Sequence, residues 1–208
     1  MASFDTHDQH NREVAETPAM LIAIDIDSTL HHYWDQLADA AKRRFGVELN
    51  YDEQRTWRIT RLRDEQLRAA IADTHSDAAI ARAQPYPHAV EIVNGWHAAG
   101  HRVHITSHRG ETCIPATERW LEQIGLEHES LHCSYDKIGH CREIGADLLI
   151  DDSPVNISRA LDAGMIAATL VHPWNYDVCE EEDVVCAHTW RLLAAALELR
   201  CPALRRAA

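Results

Sequence analysis

Short apolar runs alternate with segments of helical periodicity along most of this sequence, and no other feature limits its possible folds as much. Residues 19–24 form a nearly continuous apolar run, which is typical of a strand buried on both faces. Further runs predict strands at 102–106, 131–133, 147–150 and 166–171. Helical segments fall between them, and several end at a glycine. The alternation predicts an α/β fold, a three-layer doubly wound parallel sheet with helices on both faces.

One long segment interrupts this alternation directly after the first strand. Apolar residues recur there at helical spacing in three stretches, at 33–45, 52–72 and 77–83. Pro85 and Pro87 then break the chain before the alternation begins. We therefore expect three parts: a disordered tail at 1–17, an α/β core formed by 18–30 and 88–208, and a small helical cap at 31–87.

The charge balance restricts the partners of this chain. The 33 acidic residues outnumber the 20 basic ones and give a net charge of -13, so we expect neither nucleic-acid polymers nor anionic membranes to bind. No apolar run approaches the roughly 20 residues that span a bilayer, and the polar start does not resemble a signal peptide. We expect a cytoplasmic protein. Its closing helix, with Leu192, Leu193 and Leu197, is expected to cover the core, with a homodimer face as the alternative.

Polar residues at the ends of the predicted strands are the candidate site residues, because open parallel sheets bind ligands at the carboxyl ends of their strands. They are Asp25 and Asp27 after the first strand, Thr106, Ser107 and Arg109 after the second, Asp151 and Asp152 after the fourth, and Lys137 at the start of the preceding helix. Carboxylates held close together need a cation, and oxygen ligands suit Mg²⁺. The sequence therefore predicts a magnesium site at this edge.

Such a cluster suits phosphoryl chemistry. A carboxylate can attack phosphorus and form an acyl-phosphate, which splits one difficult displacement into two easier ones. A second carboxyl, kept protonated, can donate to the leaving oxygen and later activate water. Thr106 or Ser107, together with Lys137, can hold the oxygens of the transferring phosphoryl group. The small cap favours a small-molecule substrate.

Several of these residues also have a purely structural interpretation. Thr106 and Ser107 could only cap a following turn, and Lys137 taken alone could be a surface lysine. Arg109 is either a contact for a substrate anion or a residue of a solvated loop. The aromatic residues Tyr33 and Trp57 either enclose the substrate or pack the cap together. The segment 172–175 after the last predicted strand is a further candidate lining of the same edge, with an ordinary loop as the alternative.

Four separated motifs carry a resemblance to a known family. They are DIDST at 25–29, HITS at 104–107, Lys137, and LLIDD at 148–152. In this order and at strand ends they resemble the motifs of the haloacid dehalogenase-like (HAD) hydrolase superfamily, over roughly residues 20 to 175. Within it the chain is most similar to the 5'(3')-deoxyribonucleotidase group, which shares the Thr-Ser pair, the acidic pair followed by proline, and a small cap after the first motif.

The resemblance implies a role for each matching residue. Asp25 would be the nucleophile and Asp27 the general acid and base. Magnesium would be bound by Asp25, the main-chain carbonyl of Asp27, and Asp152 or Asp151. Thr106 and Lys137 would hold the phosphate, and the aromatics Tyr33 and Trp57 would enclose a base.

The sequence departs from that group at three places. Ser28 stands where the nucleotidases usually have glycine, and His108-Arg109 stands where they usually have proline. The rest of the cap is little like theirs. We therefore expect a Mg²⁺-dependent phosphatase acting on a small phosphate monoester, with a nucleoside monophosphate as the leading substrate class. The alternatives are a sugar or other metabolite phosphate, a different reaction on the same scaffold, and a non-catalytic binding protein.

Overall fold

All six strands of the computed structural model lie in one parallel sheet with the spatial order β3-β2-β1-β4-β5-β6. The structure describes residues 18–56, 58–181 and 183–205. The strands are β1 (Leu21–Asp25), β2 (Arg102–Ser107), β3 (Ser130–Cys133), β4 (Leu148–Ile150), β5 (Ile166–Leu170) and β6 (Val184–Ala187). This order confirms the predicted doubly wound α/β fold, in which the direction of winding changes between β1 and β4.

The described part of the chain contains eight α-helices. They are α1 (Tyr33–Phe45), α2 (Asp64–Thr74), α3 (Asp77–Arg82), α4 (Ala89–Ala98), α5 (Ile114–Gln123), α6 (Lys137–Ile144), α7 (Pro154–Asp162) and α8 (Trp190–Arg200). Short 3₁₀ turns occupy Tyr51–Glu53, Glu111–Cys113, Asp177–Glu180 and Pro202–Leu204. Among these helices none is long and apolar enough to cross a membrane.

The two faces of the sheet bury different helices, because successive side chains of a strand point to opposite sides. Ile22 and Ile24 of β1 pack into the core that contains residues of α4, α5 and α8. Ala23 between them packs into the second core, with residues of α6 and α7. All five residues of β1 are buried, as expected for a central strand. This alternation decides which helix each residue at the end of β1 meets.

The segment between β1 and α4 carries α1, α2 and α3. Helices α1 and α2 share a small apolar core around Leu37, Ala41 and Ala70. Ile80 of α3 belongs instead to the main core beside the sheet. The predicted cap boundaries at 31 and 87 stay predictions. The tail 1–17 and Trp57 lie outside the described residues.

One predicted helix is misplaced, and one strand was not predicted. The helix predicted at 52–72 begins only at Asp64, where two acidic residues occupy the first turn and Gln66 accepts a hydrogen bond from the Arg63 main-chain N–H. The strand β6 was not predicted at all. It has only four residues, follows an acidic run and lies at the sheet edge beside β5, so its apolar pattern is too short to stand out.

Helix α8 covers the core as expected. Its Leu193 and Leu197 are fully buried against the main core. Leu192 and Leu199 face outward, with 59% and 77% of their surface exposed. The predicted core role is therefore confirmed for Leu193 and Leu197 and is wrong for Leu192, and a homodimer stays a prediction.

Candidate active site

The ends of β1 and β4 meet at the point where the winding direction of the sheet changes. Asp25 is the last residue of β1 and lies opposite Thr106 in the parallel register. Asp151 and Asp152 directly follow β4, which is the neighbour of β1 on the other side. At such a point the connections from the two adjacent strands lead to opposite faces of the sheet and leave a crevice beyond the carboxyl ends, where ligands bind. The predicted acidic residues of the core therefore lie together at this crevice.

The alternation of side chains explains why Lys137 joins the acidic residues. Residues two positions apart in a strand point to the same face of the sheet. Asp25 therefore points to the same face as Ala23, and Asp151 to the same face as Leu149, which is the face covered by α6 and α7. Lys137 is the first residue of α6. Its Nζ donates to Asp25 Oδ1 at 2.5 Å and to Asp151 Oδ2 at 2.7 Å. The lysine is 2% exposed and bridges the two strands.

Asp151 and Asp152 have different surroundings although they are neighbours. Besides Lys137, Asp151 accepts hydrogen bonds from the main-chain N–H of Ser153 at 2.8 Å and from Asn156 Nδ2, which reaches both carboxylate oxygens. The carboxylate of Asp152 accepts one hydrogen bond from the described residues, from Trp174 Nε1 at 3.0 Å. Asp151 is thus saturated by protein donors, whereas Asp152 retains acceptor capacity.

The charges of this cluster do not balance. Three buried carboxylates face one ammonium, which leaves two negative charges without a partner. Burial, followed by the nearby charges of Asp151 and Asp27, raises the pKa of Asp25 to about 7 despite the opposing effect of Lys137. Burial and the charges of Asp25 and Asp151 raise the pKa of Asp152 well above its ordinary value. Burial disfavours the charge of Lys137, but the two carboxylates that it contacts outweigh this and raise its pKa.

This donor set fits a hard divalent cation. Carboxylate oxygens of Asp25, Asp151 and Asp152 lie within 4.8 Å of one another, and all three residues are buried. The ligands are oxygens only, which suits Mg²⁺. One Mg²⁺ would supply the two positive charges that the cluster lacks.

The loop after β1 reverses the chain within a few residues. Ser28 adopts a left-handed backbone conformation with φ of 63°, which explains why glycine is suited to this position in the family that the motif resembles. Leu30 donates its main-chain N–H to the Ile26 carbonyl at 2.8 Å. His172 Nε2 lies 2.7 Å from the Ser28 carbonyl oxygen, and Trp190 Nε1 donates to the Thr29 carbonyl at 2.9 Å. The turn is therefore held in place by two contacts from the core.

Asp27 is directed by this turn toward Arg109 rather than toward Lys137. Its Oδ1 accepts from Arg109 Nη2 at 2.7 Å and its Oδ2 accepts from Arg109 Nε at 3.1 Å. His31 Nε2 lies 2.9 Å from the same Oδ1. Burial raises the pKa of Asp27, but Arg109 and His31 outweigh burial and hold it well below its usual range. The side chain of Asp27 is not part of the cluster of three carboxylates, and its carbonyl as a metal ligand stays a prediction.

The remaining predicted residues lie at several places. Thr106 is fully buried beside Asp25 and makes a long hydrogen bond, 3.4 Å, to the Ile24 carbonyl. The Ser107 hydroxyl accepts the main-chain N–H of Arg109 at 3.1 Å. The hydroxyl of Tyr33 lies 2.8 Å from Thr74 Oγ1. Tyr33 therefore has a hydrogen-bond partner within the insertion. As substrate contacts, these residues and Trp57 stay predictions.

Three further residues belong to the site, and two of them, Asn156 and His31, were not predicted to act there. Asn156 contacts Asp151 from the first turn of α7, and its only sequence signal is a polar residue shortly after the acidic pair. His31 contacts Asp27 four residues away, which local spacing alone could have suggested. Trp174 contacts Asp152 and lies in the segment that was a candidate lining. Its indole also stacks on His172, with ring centroids 4.6 Å apart.

Comparison with known proteins shows that the fold of this chain matches that of solved HAD hydrolase structures. No family model and no curated protein matches the sequence. Among solved structures, the chain is similar to a predicted phosphoglycolate phosphatase from Haemophilus somnus, with a TM-score of 0.64, 15% identity, and 88% of this chain and 98% of the other covered. It is also similar to a HAD family hydrolase from Deinococcus radiodurans with bound phosphate and sodium, with a TM-score of 0.62, 19% identity, and 92% and 100% covered.

A third similar structure holds a sugar bisphosphate. It is CbbY from Rhodobacter sphaeroides in complex with xylulose-1,5-bisphosphate, with a TM-score of 0.57, 14% identity, and 83% and 95% of the two chains covered. At identities this low, structural similarity shows the fold but not the reaction. The chain has the α/β fold of HAD hydrolases, as the four motifs predicted.

Proposed function

We propose that this protein is a Mg²⁺-dependent phosphatase that hydrolyses a small phosphate monoester through an aspartyl-phosphate at Asp25. The observation that carries the proposal is the buried group of Asp25, Asp151 and Asp152 with one lysine at the switch point of the sheet. Buried carboxylates that repel one another are costly for a fold to retain. A bound cation would offset their repulsion, and the carboxylates would then serve as its ligands beside an anionic substrate.

The surroundings of the acidic pair favour Asp152 as the direct magnesium ligand. Asp151 is occupied by Lys137, Ser153 and Asn156, whereas Asp152 has oxygen acceptor capacity left. Asp25 and Asp152 would therefore hold the ion, together with the Asp27 carbonyl. Bound there, Mg²⁺ would neutralise the charge that builds up on the phosphoryl oxygens. Asp151 would serve to hold Lys137 in place.

The protein's own residues account for two successive displacements. In the first, a carboxylate oxygen of Asp25 bonds to phosphorus as the bond to the leaving oxygen breaks. Asp27, which Arg109 and His31 hold ionised in the free protein, must first take up a proton from solvent when the substrate binds, and it then gives that proton to the leaving oxygen. In the second, water attacks phosphorus, Asp27 accepts its proton, and the bond to Asp25 breaks with release of inorganic phosphate. Lys137 and Thr106 hold the phosphoryl oxygens in both steps.

Two substrate classes fit this site. A nucleoside monophosphate follows from the motif resemblance, with aromatic residues of the insertion enclosing the base. A sugar or other metabolite phosphate is favoured by the structural neighbours, one of which holds xylulose-1,5-bisphosphate and another of which is a predicted phosphoglycolate phosphatase. In both classes the bond that is cleaved is the phosphate ester of a small molecule.

Turnover should depend on the metal. We expect release of phosphate from para-nitrophenyl phosphate with Mg²⁺ and none after treatment with a chelator. A panel of 5'- and 3'-nucleotides and sugar phosphates, compared by kcat/KM, then assigns the substrate class. Turnover of sugar phosphates alone would rule out the nucleotidase assignment. Activity that survives chelation, or no activity on any monoester with Mg²⁺, would overturn the proposed reaction.

Magnesium should also stabilise the fold without any substrate. At a concentration about 100 times its Kd the ion contributes about 2.7 kcal/mol, which corresponds to a rise in Tm of about 5 to 10 °C for a domain of this size. Asp152→Asn should remove this shift and raise the Tm of the metal-free protein, because it removes a buried unpaired charge. Asp162→Asn at an exposed position is the matched control and should keep the shift. Differential scanning calorimetry measures both.

The sign of the pH dependence follows from Asp25. Its pKa is about 7 in the fold against 3.8 as an ordinary carboxyl, so between these values the folded state binds more protons than the unfolded state. Stability of the metal-free protein therefore falls as the pH rises through this window. The Mg²⁺ shift should grow over the same window, because the ion needs ionised ligands. A shift independent of pH, or retained in Asp152→Asn, would contradict the assigned ligands.

A further inference from the structure

Most of the guanidinium of Arg109 is occupied by contacts inside the protein. Arg109 is 2% exposed. Two of its nitrogens donate to Asp27, and Nη1 donates to Thr117 Oγ1 at 3.2 Å. One face covers the Trp120 ring, with the guanidinium carbon 5.9 Å from the ring centroid. These contacts leave little of the guanidinium for the anion of a substrate.

The contacts of Asp27 define its chemical state and its direction. Both carboxylate oxygens accept N–H donors of Arg109, in the parallel two-bond geometry that fixes a carboxylate in one plane. His31, which is 1% exposed, adds a contact from the side. Asp27 itself keeps 19% of its side chain exposed. It is therefore held as an acceptor at the edge of the crevice, which is the state in which a carboxylate takes a proton from water.

The anchor of Arg109 lies on the opposite face of the sheet from Lys137. Thr117 and Trp120 belong to α5, whose Trp120 packs into the main core. Thr117 is fully buried. Asp25 and its lysine therefore lie toward α6, while Asp27 and its arginine lie toward α5. The two carboxylates that the proposed reaction needs are kept apart by separate cations.

From this geometry we infer that Arg109, anchored by Thr117, is a positioning residue that holds Asp27 as the base for the second displacement. The inference rests on the proposed function and deepens it. Arg109 does not bind the substrate phosphate in this assignment. Removal of the Arg109 side chain should slow hydrolysis of the aspartyl-phosphate. With a leaving group that needs no proton, formation of the aspartyl-phosphate should be slowed less.

Pre-steady-state kinetics with para-nitrophenyl phosphate separates these steps, because para-nitrophenolate leaves without a proton. For Arg109→Gln we expect a rapid burst of para-nitrophenol close to one equivalent, followed by steady turnover about 100-fold slower than in the wild type. KM should not rise. Thr117→Val should show the same pattern with a smaller loss, because its hydroxyl reaches Asp27 only through Arg109. Arg119→Gln removes an exposed arginine that pairs with Asp77 and is the matched control.

Each outcome decides between roles. A burst that is slowed together with a higher KM would assign Arg109 to the substrate phosphate and overturn the inference. A burst well below one equivalent, with a lowered Tm, would show that the arginine only supports folding. Unchanged turnover in Arg109→Gln would also overturn it. If the wild type turns over no monoester, the proposed function fails and the inference with it, whereas wild-type turnover with an unaffected variant removes the inference alone.

Discussion

Replacing Asp25 by asparagine should abolish turnover while leaving the fold intact. An amide cannot form the acyl-phosphate, so we expect kcat to fall by a factor on the order of 10⁴ or more. The fold should tolerate the change, because the ionised form of Asp25 is a buried charge that destabilises the fold, as its raised pKa of about 7 indicates. Lys137 keeps its second partner, Asp151, at 2.7 Å. Loss of activity should therefore not be accompanied by loss of stability.

The measurement joins kinetics with detection of the intermediate. Mass spectrometry of acid-quenched enzyme should show one added phosphoryl group in the wild type during turnover and none in Asp25→Asn. Asp39→Asn, on the outer surface of α1, serves as the control and should keep both activity and the intermediate. A phosphoenzyme that persists in Asp25→Asn would place the nucleophile on another residue.

The parts of this site that could be predicted are those set by strand ends. Asp25, Asp151 and Asp152 directly follow short apolar runs, and a parallel sheet brings such ends to one edge whatever the intervening chain does. Lys137 was predicted from the motif pattern. It contacts Asp25 and Asp151 because both aspartates point to the face of the sheet that α6 covers. Short continuous apolar runs identify central strands well, which is why β1 and β4 were found and the edge strand β6 was not.

The pairings around the acidic residues could not be read from spacing. Arg109 and Asp27 are 82 residues apart, and their contact depends on the left-handed turn at Ser28. Asn156 contacts Asp151 because of the direction in which α7 begins, and Trp174 contacts Asp152 because of the direction of the loop after β5. Such contacts depend on the tertiary structure, and a sequence motif does not specify them. The start of α2 was misplaced because apolar periodicity continued through residues that lack helical structure.

Lys137 is the residue whose loss should harm both stability and activity. Lys137→Met removes the ammonium that Asp25 and Asp151 share and leaves buried carboxylates without a partner. Breaking a buried ion pair from one side costs about 3–5 kcal/mol, so we expect Tm to fall by about 10 °C. Loss of a cation from the phosphoryl site should lower kcat by about 10²–10³-fold. Lys137→Arg should not restore activity, since a planar fork does not fit a buried point-charge site.

A double variant separates the two effects of this lysine. In Lys137→Met/Asp151→Asn one of the two stranded carboxylates is neutral, so much of the lost stability should return while kcat stays low. In the single variant the deficit in Tm should shrink as the pH falls, because protonation removes the uncompensated charges. Calorimetry over a pH series, run with a chelator present, measures this. If the double variant regained activity along with stability, Lys137 would be only a structural counterion, and the phosphoryl oxygens would have to be held by Thr106 and the metal.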